Sequence, residues 1–471
     1  MAERRTKIIV TYGPAVEAES QLRRVIDAGA NAFRLNFSHG THNEYAQAIA
    51  RIRAVAAESG VPLALIADLQ GPKIRVGDMP AEGVELRKGK TVTLTSRRIK
   101  GDGETVPVSF PDLGGVLRQG KKVLLDDGRI TLKVLEVQGG DANCRVMMGG
   151  LLESRRGVNF PGIDIKAPPI SGKDRQDLDF ALQAGVDYVA LSFISSADDI
   201  GMLRSLVESR TERRVRIIAK IENQEAIRNI TSIIATADAV MIARGDLGVE
   251  IPPERVPYWQ KEIIRQCISS ARPVITATQM LESMIEDPVP TRAEASDVAN
   301  AIYDGSDAIM LSGETAIGRY PVRAVNTMHR IARTTEAALS RERTRPGASR
   351  ASVSDAISHA ACEIAESLGA QAILTPTSSG STALQVSRQR ASVPQVALSP
   401  EKDVVNQLAI AWGVMPFMIN PARDTDDMFE KAIAVTRDNG IAQSGDEIVI
   451  TAGVPVNVAG TTNLIKVHRL D

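Results

Sequence analysis

The sequence predicts an α/β protein built on a (β/α)8 TIM barrel, a closed barrel of eight parallel strands surrounded by helices. Two observations support this prediction. Apolar strand-like runs alternate with helical patterns in two separate stretches of the chain, and these stretches together contain eight such runs. Six of the runs are apolar in the body and polar at the C-terminal end, as expected of parallel strands that meet at one rim. At 471 residues, the chain has room for about three domains.

The barrel is predicted in two parts, residues 1–72 and 169–345. The first part contains three apolar runs separated by helical patterns: KIIVTYG, NAFRLNFS and PLALIADLQG. Five more follow after about Lys173: VDYVALSF, VRIIAKIE, AVMIARGDL, PVITATQ and DAIMLSG. Three strands and five strands make the eight that close a TIM barrel.

An all-β domain is predicted between the two parts, at residues 73–168. The alternation of strands and helices stops there, and short alternating runs such as TVTLTS and KKVLLDDGRITLKVLEV occur among frequent glycines. The dipeptide Asp127-Gly128 is a strong signal for a hairpin turn. The insert is therefore expected to be a small, β-barrel-like domain.

A separate α/β domain is predicted at residues 346–471, after the charged, proline-containing segment SRERTRPGAS. Helical patterns alternate there with the strand-like runs QAILTPT, PQVALSP and EIVITAG. Between the first of these strands and the next helix lies a hydroxyl-rich turn, made of Thr377, Ser378, Ser379, Gly380, Ser381 and Thr382. Such a turn can cradle a phosphate, although a serine-rich N-cap has the same sequence pattern.

The polar ends of the barrel strands supply the candidate site residues. Lys220 and Glu222 are two positions apart, so in a strand they share a face and point into the same cavity. A lysine can neutralise a moving phosphoryl group while a carboxylate holds a divalent ion, so this spacing suits phosphoryl transfer. Taken alone, the pair could equally be an ordinary salt bridge. Polar residues also end the other runs: Arg34, Asn36, Ser38, Asp68, Lys73, Arg75, Arg244, Gly245, Asp246, Thr276, Thr278 and Ser312.

Composition excludes several classes of protein. With 56 basic and 57 acidic residues, the chain shows no excess charge for nucleic acid binding. Cys144, Cys267 and Cys362 lie far apart without metal or redox spacing and are expected to be buried thiols in a reducing compartment. The sequence shows no signal-peptide core and no apolar stretch of the roughly 18 residues that a membrane span requires, so a cytoplasmic location without membrane contact is expected.

Six long motifs, in this order, resemble those of the pyruvate kinase family, and the resemblance covers essentially the whole chain. They are RLNFSHG (34–40), DLQGPKIR (68–75), AKIENQEAI (219–227), ARGDLGVEIP (243–252), TATQMLESM (276–284) and LSGETAIG (311–318). The resemblance implies an enzyme that transfers the phosphoryl group of phosphoenolpyruvate to ADP, giving pyruvate and ATP in the last step of glycolysis. It also implies that the insert is a lid, that the C-terminal domain binds an effector, and that the chain forms a homotetramer.

The resemblance assigns roles to residues at the rim. The carboxylate of phosphoenolpyruvate is implied to bind the backbone amides of Gly245 and Asp246 and the hydroxyl of Thr278. Glu222 and Asp246 are implied to hold Mg²⁺ or Mn²⁺, since two carboxylates suit a hard ion that keeps some water. Lys220 and Arg34 are implied to grip the phosphoryl group as it moves.

Other roles implied by the resemblance concern the proton and the nucleotide. The enolate of pyruvate is protonated either by Lys220 or by a water relayed by Thr278 and Ser312, and the water is the better candidate because a phosphoryl clamp should stay charged. The implied nucleotide positions are Asn36, His39, Arg75 and Lys173, and Asp126 with Asp127 belongs to the lid.

The chain departs from the commonest family pattern at Lys73. Members that need potassium resemble this chain at Asn36, Ser38 and Asp68, which coordinate the ion together with the backbone carbonyl at Leu69, but they carry glutamate in place of Lys73. We therefore expect the Lys73 ammonium to take the role of the ion, so that potassium is not required. The chain thus resembles the bacterial, potassium-independent members activated by monophosphates.

The expected effector is a phosphorylated small molecule. The turn from Ser378 to Thr382 resembles the effector-phosphate loop of the family, and Gly460, Thr461 and Thr462 are expected to border the same pocket. The neighbouring loop GVPVNVAG contains no Arg or Lys for a second phosphate, which favours a sugar monophosphate or a nucleotide monophosphate.

Two other functions fit parts of the sequence. A divalent-metal aldolase or lyase acting on an oxo acid could use similar barrel carboxylates, but it would not need Lys220, an inserted lid or a nucleotide site. A catalytically silent sensor could bind a sugar phosphate through the C-terminal domain alone. The presence of Lys220, Glu222, Asp246 and Thr278 argues against the sensor.

Overall fold

The computed structural model of the chain describes residues 4–163, 168–339, 352–455 and 461–471. The first part begins with alternating strands and helices. In order, they are β1 (Lys7–Thr11), α1 (Glu19–Asp27), β2 (Ala32–Asn36), α2 (His42–Ser59) and β3 (Ala64–Asp68). Helix α2 has clear local signals at both ends, because Thr41 and Glu44 form a capping box at its start and Gly60, with φ 64°, ends it.

The insert is an all-β domain. Its elements are β4 (Val84–Leu86), β5 (Thr91–Thr95), β6 (Thr105–Pro107), the short helix α3 (Leu113–Val116), β7 (Lys122–Leu125), β8 (Ile130–Gln138), β9 (Asp141–Met148), β10 (Gly150–Leu152) and β11 (Val158–Asn159). Six strands form one sheet in the order β11-β7-β8-β9-β5-β6, and β4 pairs with β10. Strands β7 and β8 form an antiparallel hairpin. Its turn contains Asp127 and Gly128 in the left-handed region, with φ 52° and 86°, which confirms the predicted turn.

The second part of the barrel continues the alternation. Its elements are α4 (Gly172–Gln183), β12 (Tyr188–Leu191), α5 (Ala197–Glu208), β13 (Arg216–Ile221), α6 (Gln224–Arg228), α7 (Ile230–Thr236), β14 (Ala239–Ala243), α8 (Arg244–Glu250), α9 (Val256–Ser269), β15 (Val274–Ala277), α10 (Arg292–Tyr303), β16 (Ala308–Leu311), α11 (Gly313–Ala316) and α12 (Pro321–Leu339). The closed barrel has the strand order β1-β16-β15-β14-β13-β12-β3-β2, and every neighbouring pair is parallel. The predicted fold class is confirmed.

The C-terminal unit is a separate α/β sheet. Its elements are α13 (Val353–Leu368), β17 (Ala372–Pro376), α14 (Ser381–Ser387), β18 (Gln395–Ser399), α15 (Lys402–Leu408), β19 (Val414–Met418), α16 (Thr425–Asp438), β20 (Glu447–Gly453) and β21 (Thr462–Arg469). The sheet order is β19-β18-β17-β20-β21, with β21 antiparallel to β20. The sequence located the three central strands and missed β19 and β21. These two form the edges of the sheet. β19 contains Pro416, which argues against a strand, and β21 mixes polar and apolar residues, so neither has the sequence pattern of a buried strand.

The C-terminal unit closes the end of the barrel opposite the rim, which is called the floor below. Ala409 and Ile410, which follow α15, pack in one buried cluster with the side chains of the barrel lumen, including Ile66, Ile218 and Met241. The floor lies at the N-terminal ends of the strands, opposite the rim where the candidate site residues lie. The position of the C-terminal unit relative to the strands is therefore fixed by apolar packing inside the barrel.

Buried polar contacts reinforce this packing. The Tyr188 hydroxyl, at the start of β12, donates to the Gln407 carbonyl at 2.8 Å. The buried Asp307 carboxylate, just before β16, accepts hydrogen bonds from Arg390 at 3.0 Å and from the Trp412 amide at 3.1 Å. A buried carboxylate is stable only when it is paired in this way, so these contacts fix the docking geometry.

Two expectations drawn from composition can be compared with the structure. Cys144, Cys267 and Cys362 are buried, as predicted. Across the described ranges of the chain, no helix combines the length and apolarity needed to cross a membrane.

Candidate active site

Lys220 and Glu222 lie together at the rim, as their spacing predicted. Lys220 is on β13 and Glu222 follows the last residue of that strand, so their side chains share one face. The Lys220 Nζ atom is 2.8 Å from Glu222 Oε1 and 3.1 Å from Asp68 Oδ1. It also donates to the Ser192 hydroxyl at 2.7 Å. Burial lowers the pKa of Lys220, but the carboxylates of Asp68 and Glu222 outweigh burial and raise it, so the ammonium is charged at neutral pH.

Asp68 joins two cations at the rim. Its Oδ2 atom lies 2.6 Å from both Nε and Nη2 of Arg34, while its Oδ1 atom faces Lys220. Strands β2 and β3 are in register here, with Asn36 opposite Asp68. Burial raises the pKa of Asp68, but the nearby Lys220 and Arg34 cations outweigh it and hold that pKa below its usual value. The Asp68 carboxylate therefore holds the side chains of Arg34 and Lys220 close to each other at the rim.

Glu222 and Asp246 are the carboxylates best placed for a divalent ion. Asp246 lies in the first turn of α8, directly after β14, and about a third of its side chain is exposed. The second oxygen of Glu222 accepts from the Phe193 amide at 2.7 Å. Burial raises the pKa of Glu222 and the charge of Asp246 adds to this, although Lys220 opposes both. Two facing carboxylates therefore carry negative charge that a cation would relieve.

The donor set fits Mg²⁺ or Mn²⁺. These hard ions take carboxylate oxygens and usually keep several waters. Within the part of the chain that the structure describes, no three His, Cys, Asp or Glu residues converge into a metal cluster. A site with two carboxylates leaves coordination positions for substrate oxygens and water, which is typical of phosphoryl-transfer enzymes.

Thr278 and Gly245 are brought together in a tight contact. The Gly245 amide donates to the Thr278 hydroxyl oxygen at 2.8 Å. Thr278 has φ 68°, in the left-handed region that β-branched residues avoid, and such strain concentrates at functional sites. Arg244 stabilises this geometry, because it donates to the Thr278 carbonyl at 2.8 Å and to Asp297 at 2.7 Å. The sequence placed Arg244 at a strand end but gave it no role.

Ser312 lies at the end of β16, beside a buried carboxylate. Its amide donates to Glu314 Oε2 at 2.7 Å, and the Leu281 amide donates to Glu314 Oε1 at 3.0 Å. The Ser312 hydroxyl is buried and has no hydrogen-bond partner within the described ranges. Within the described part of the chain, no direct hydrogen bond joins Ser312 to Thr278. Glu314, which burial leaves with a raised pKa, was missed by the sequence analysis although it lies inside the LSGET motif.

The four predicted nucleotide positions fall into two groups. Lys173 donates to the Phe37 carbonyl at 2.7 Å and to Asp177 at 2.5 Å. Asn36 is the last residue of β2 and His39 lies in the loop that follows, and the carbonyl oxygens of both are 2.6 Å from the Tyr45 hydroxyl. Arg75 is separate from them, because it lies in the insert and donates to the Arg155 carbonyl at 3.0 Å.

The structure does not bring Lys73 to the predicted cation ligands. Its ammonium is 4.0 Å from Asp246 Oδ1. Among the described residues, no ion pair or hydrogen bond links it to Asn36, Ser38, Asp68 or Leu69. The Asp68 carboxylate already faces Arg34 and Lys220, and the Leu69 carbonyl accepts from Ser192. The chain turns at Gly71, with φ 69°, and the Lys73 ammonium lies near Asp246 instead.

The insert and the barrel enclose a cavity beside the site. Its volume is about 130 Å³, and its lining includes Phe160 from the insert and Phe193 and Asn223 from the barrel. Asn159, at the end of β11, donates to Glu250 Oε1 at 2.8 Å and so connects the insert to the helix that carries Asp246. The sequence predicted neither the cavity nor the hydrogen bond between Asn159 and Glu250, because both depend on segments that are far apart in the chain.

The hydroxyl-rich turn lies between β17 and α14, as predicted. Thr377 accepts from the Gly380 amide at 2.9 Å, and the hydroxyls of Thr382 and Thr462 are 2.8 Å apart. Gly380 has φ 82°, and a side chain there would approach Arg216. Arg216, the first residue of β13, donates to the Ser379 carbonyl at 2.7 Å. Gly460, which was expected to border this turn, lies outside the described residues, and among those residues neither the Ser378 hydroxyl nor the Ser381 hydroxyl makes a hydrogen bond.

Comparison with known proteins matches two family descriptions. Residues 3–325 match "Pyruvate kinase, barrel domain" and residues 355–468 match "Pyruvate kinase, alpha/beta domain". Pyruvate kinase of Geobacillus stearothermophilus is 45% identical over 473 residues, covering 99% of this chain and 80% of that protein. Pyruvate kinase of Clostridium acetobutylicum is 43% identical, covering 99% and 100%. A crystal structure of a pyruvate kinase from Cryptosporidium parvum superposes with a TM-score of 0.91 at 36% identity, covering 99% and 96% of the two chains.

Removing the charge of Asp68 tests the electrostatics of the rim. We expect Asp68→Asn to lower the free energy of unfolding by about 3–5 kcal/mol at pH 7, because two largely buried cations lose their shared anion. The folded pKa of Asp68 is lowered, so its contribution is present above the unfolded pKa of about 3.9 and is lost as pH falls below it. Chemical denaturation at several pH values measures the difference.

The matched control is Asp179→Asn. Asp179 pairs with Arg210 at the surface, with about half of its side chain exposed, and such pairs contribute about 1 kcal/mol or less. An equal loss of stability in the two variants at pH 7 would contradict the proposed importance of Asp68.

Proposed function

The chain belongs to the pyruvate kinase family and is a phosphotransferase, and from this premise we propose how its barrel rim transfers the phosphoryl group of phosphoenolpyruvate to ADP. The observation that carries the proposal is the buried Lys220 ammonium, held by Asp68 and Glu222, with Arg34 on the other side of Asp68. Two permanent cations at one rim stabilise a moving phosphoryl group better than they stabilise the bound substrate.

We propose that the carboxylate of phosphoenolpyruvate binds at Gly245, Asp246 and Thr278. The backbone amides of Gly245 and Asp246 lie at the first turn of α8, where the positive end of the helix favours an anion. The Gly245 amide, which donates to the Thr278 hydroxyl, would turn to the substrate carboxylate. The strained Thr278 backbone keeps its hydroxyl directed at the Gly245 amide. This geometry is formed before the substrate arrives, so little ordering is needed on binding.

Glu222 and Asp246 would hold the divalent ion, Mg²⁺ or Mn²⁺. When bound, such an ion would supply positive charge that offsets the negative charge of the substrate. Glu222 is fixed by Lys220 and by the Phe193 amide, whereas Asp246 is more exposed and is the more adjustable ligand.

Transfer leaves an enolate that must gain a proton at carbon. The raised pKa of Lys220 makes its ammonium a poor acid, which supports the water alternative. We propose that this water lies between the hydroxyls of Thr278 and Ser312. The Ser312 hydroxyl is buried with no partner within the described ranges, as expected of a group that binds a water or substrate atom.

The nucleotide would lie between the barrel rim and the insert. Asn36, His39 and Lys173 would contact the nucleotide from the barrel, and Arg75 would contact it from the insert. Closure of the insert, with its hairpin turn at Asp126 and Asp127, would bring Arg75 toward the nucleotide phosphates and exclude water.

We propose that the enzyme does not require potassium for activity. Lys73 lies near Asp246 and not at the predicted ion ligands, so it does not replace the ion atom for atom. It still adds a positive charge beside the substrate site, and Arg34 and Lys220 already neutralise the Asp68 carboxylate. Both features reduce the need for a monovalent cation.

The turn from Thr377 to Thr382 is proposed to bind the phosphate of a sugar monophosphate or a nucleotide monophosphate and to activate the enzyme. Support comes from Arg216, the first residue of β13, which donates a hydrogen bond to the Ser379 carbonyl in this turn. Lys220 lies near the end of the same strand. We also propose a cytoplasmic homotetramer, as the family resemblance implies.

Replacing Lys220 tests the proposed chemistry directly. We expect Lys220→Met to lower kcat for pyruvate formation by at least a thousandfold while substrate affinity changes little, because its charge acts mainly on the transition state. A coupled assay with phosphoenolpyruvate, ADP and Mg²⁺ measures this, and a chelator should abolish native activity. The control Lys261→Met removes an exposed lysine paired with Asp304 and should leave kcat unchanged. Native-like turnover in Lys220→Met would refute the proposed role.

The potassium proposal predicts a cation profile. Replacing potassium with tetramethylammonium at equal ionic strength should change kcat by less than twofold. Lys73→Glu should create a requirement, so that its kcat rises several-fold when potassium is restored. A several-fold loss of native turnover without potassium would contradict the proposal.

The effector proposal predicts activation that depends on Gly380. Titration with AMP, glucose 6-phosphate and ribose 5-phosphate should lower the half-saturating phosphoenolpyruvate concentration several-fold for at least one ligand. Gly380→Ala should abolish this response, because the added Cβ would lie 2.7 Å from Arg216. Gly440→Ala is the control, since Gly440 also has positive φ but faces open space. An unchanged response in Gly380→Ala, or no response to any ligand in the native protein, would reject the proposal.

A further inference from the structure

Ser192 is a buried hydroxyl at the centre of the rim that sequence analysis did not single out. It follows the last residue of β12 and is 2% exposed. Its oxygen accepts a hydrogen bond from Lys220 Nζ at 2.7 Å, and its proton is donated to the Leu69 carbonyl at 2.7 Å. Ser192 therefore connects the ends of β3 and β13, the two strands on either side of β12.

The Lys220 ammonium has three N–H donors, and the structure supplies three acceptors for them. Two are carboxylate oxygens, Glu222 Oε1 at 2.8 Å and Asp68 Oδ1 at 3.1 Å. The third is the Ser192 hydroxyl. Because all three N–H groups are engaged, movement of the ammonium toward either carboxylate would lengthen or break its hydrogen bond to Ser192.

The orientation of the Ser192 hydroxyl is itself fixed. Its only proton is donated to the Leu69 carbonyl at 2.7 Å, since the other acceptor within reach, Asp68 Oδ1, is 3.5 Å away, and a lone pair is left for Lys220. The Leu69 amide in turn donates to the Ala190 carbonyl at 3.0 Å, which holds the end of β3 against β12. Gly71 packs so closely that a side chain there would come within 2.9 Å of the Ser192 carbonyl oxygen. The backbone around Ser192 is thus held on two sides.

We propose that Ser192 is a positioning residue for Lys220, holding the ammonium at the distance from Asp68 and Glu222 that phosphoryl transfer requires. The inference rests on the proposed role of Lys220. Ser192 is the neutral member of the three acceptors, so removing it leaves the charge of the rim unchanged and alters only where the ammonium lies. Without it, the ammonium is drawn toward the two carboxylates and away from the transferring group.

The test compares Ser192→Ala with the native protein in the coupled assay. We expect kcat to fall about 10- to 100-fold while KM for phosphoenolpyruvate stays within about twofold, because the substrate carboxylate binds elsewhere. Ser192→Thr keeps the hydroxyl and should recover most of kcat. Ser195→Ala is the matched control, since Ser195 lies three residues further on and donates to Asp199, away from Lys220.

A second variant covers the case in which Ser192→Ala fails to fold. Ser192→Cys keeps a side chain of similar size but offers only a weak donor and acceptor, so its kcat should also fall at least several-fold. A native kcat in either Ala or Cys variant, or a loss confined to KM, would overturn the inference. Measuring Lys220→Met in the same assay separates the proposed role of Lys220 from that of Ser192. If Lys220→Met retains activity, the proposed role of Lys220 is wrong. If Lys220→Met is inactive and Ser192→Ala has native kcat, only the proposed role of Ser192 is wrong.

Discussion

The arrangement of the rim depends on one buried carboxylate, Asp68, lying between Arg34 and Lys220. Two unit charges a few ångströms apart repel each other by about 4 kcal/mol at an effective dielectric of about 20. With Asp68 between them, each cation has a favourable partner and both can be held in a largely dehydrated site. The rim is therefore preorganised to receive a strongly anionic group, and the neighbouring carboxylates of Glu222 and Asp246 leave room for a divalent cation beside it.

The two ends of the barrel are linked by its strands. β13 begins at Arg216, which contacts the hydroxyl-rich turn of the C-terminal unit, and it carries Lys220 four residues later. A strand buried on both faces is stiff, so a displacement at its first residue is carried along the backbone and not absorbed by a loop. The strand is thus a short covalent path between the hydroxyl-rich turn, the proposed effector site, and the cations at the rim.

The sequence was sufficient to predict the barrel, the insert and the pairing of Lys220 with Glu222, because strand alternation and strand-end polarity are local signals. It also brought Thr278 and Gly245 to one rim. It could not reveal Ser192, Arg216 or Glu314, since each acts through a contact with a distant segment and a single serine, arginine or glutamate carries no local signal. For Lys73, the sequence did give a signal, but the expected position was wrong. Lysine in place of the usual glutamate suggested that its ammonium lies at the potassium ligands, whereas the chain turns at Gly71, Asp68 is occupied by Arg34 and Lys220, and the ammonium lies near Asp246.

The filled floor of the barrel has a consequence for synthesis of the chain. Ile410 completes the lumen core, yet it lies far beyond β16, the last barrel strand in the sequence. Protein chains emerge from the ribosome N-terminus first, and early domains usually fold before later ones are made. Here a nascent barrel has all eight strands but an open, apolar lumen until the C-terminal unit emerges. We expect that interval to be when the chain is most exposed to aggregation and most dependent on chaperones.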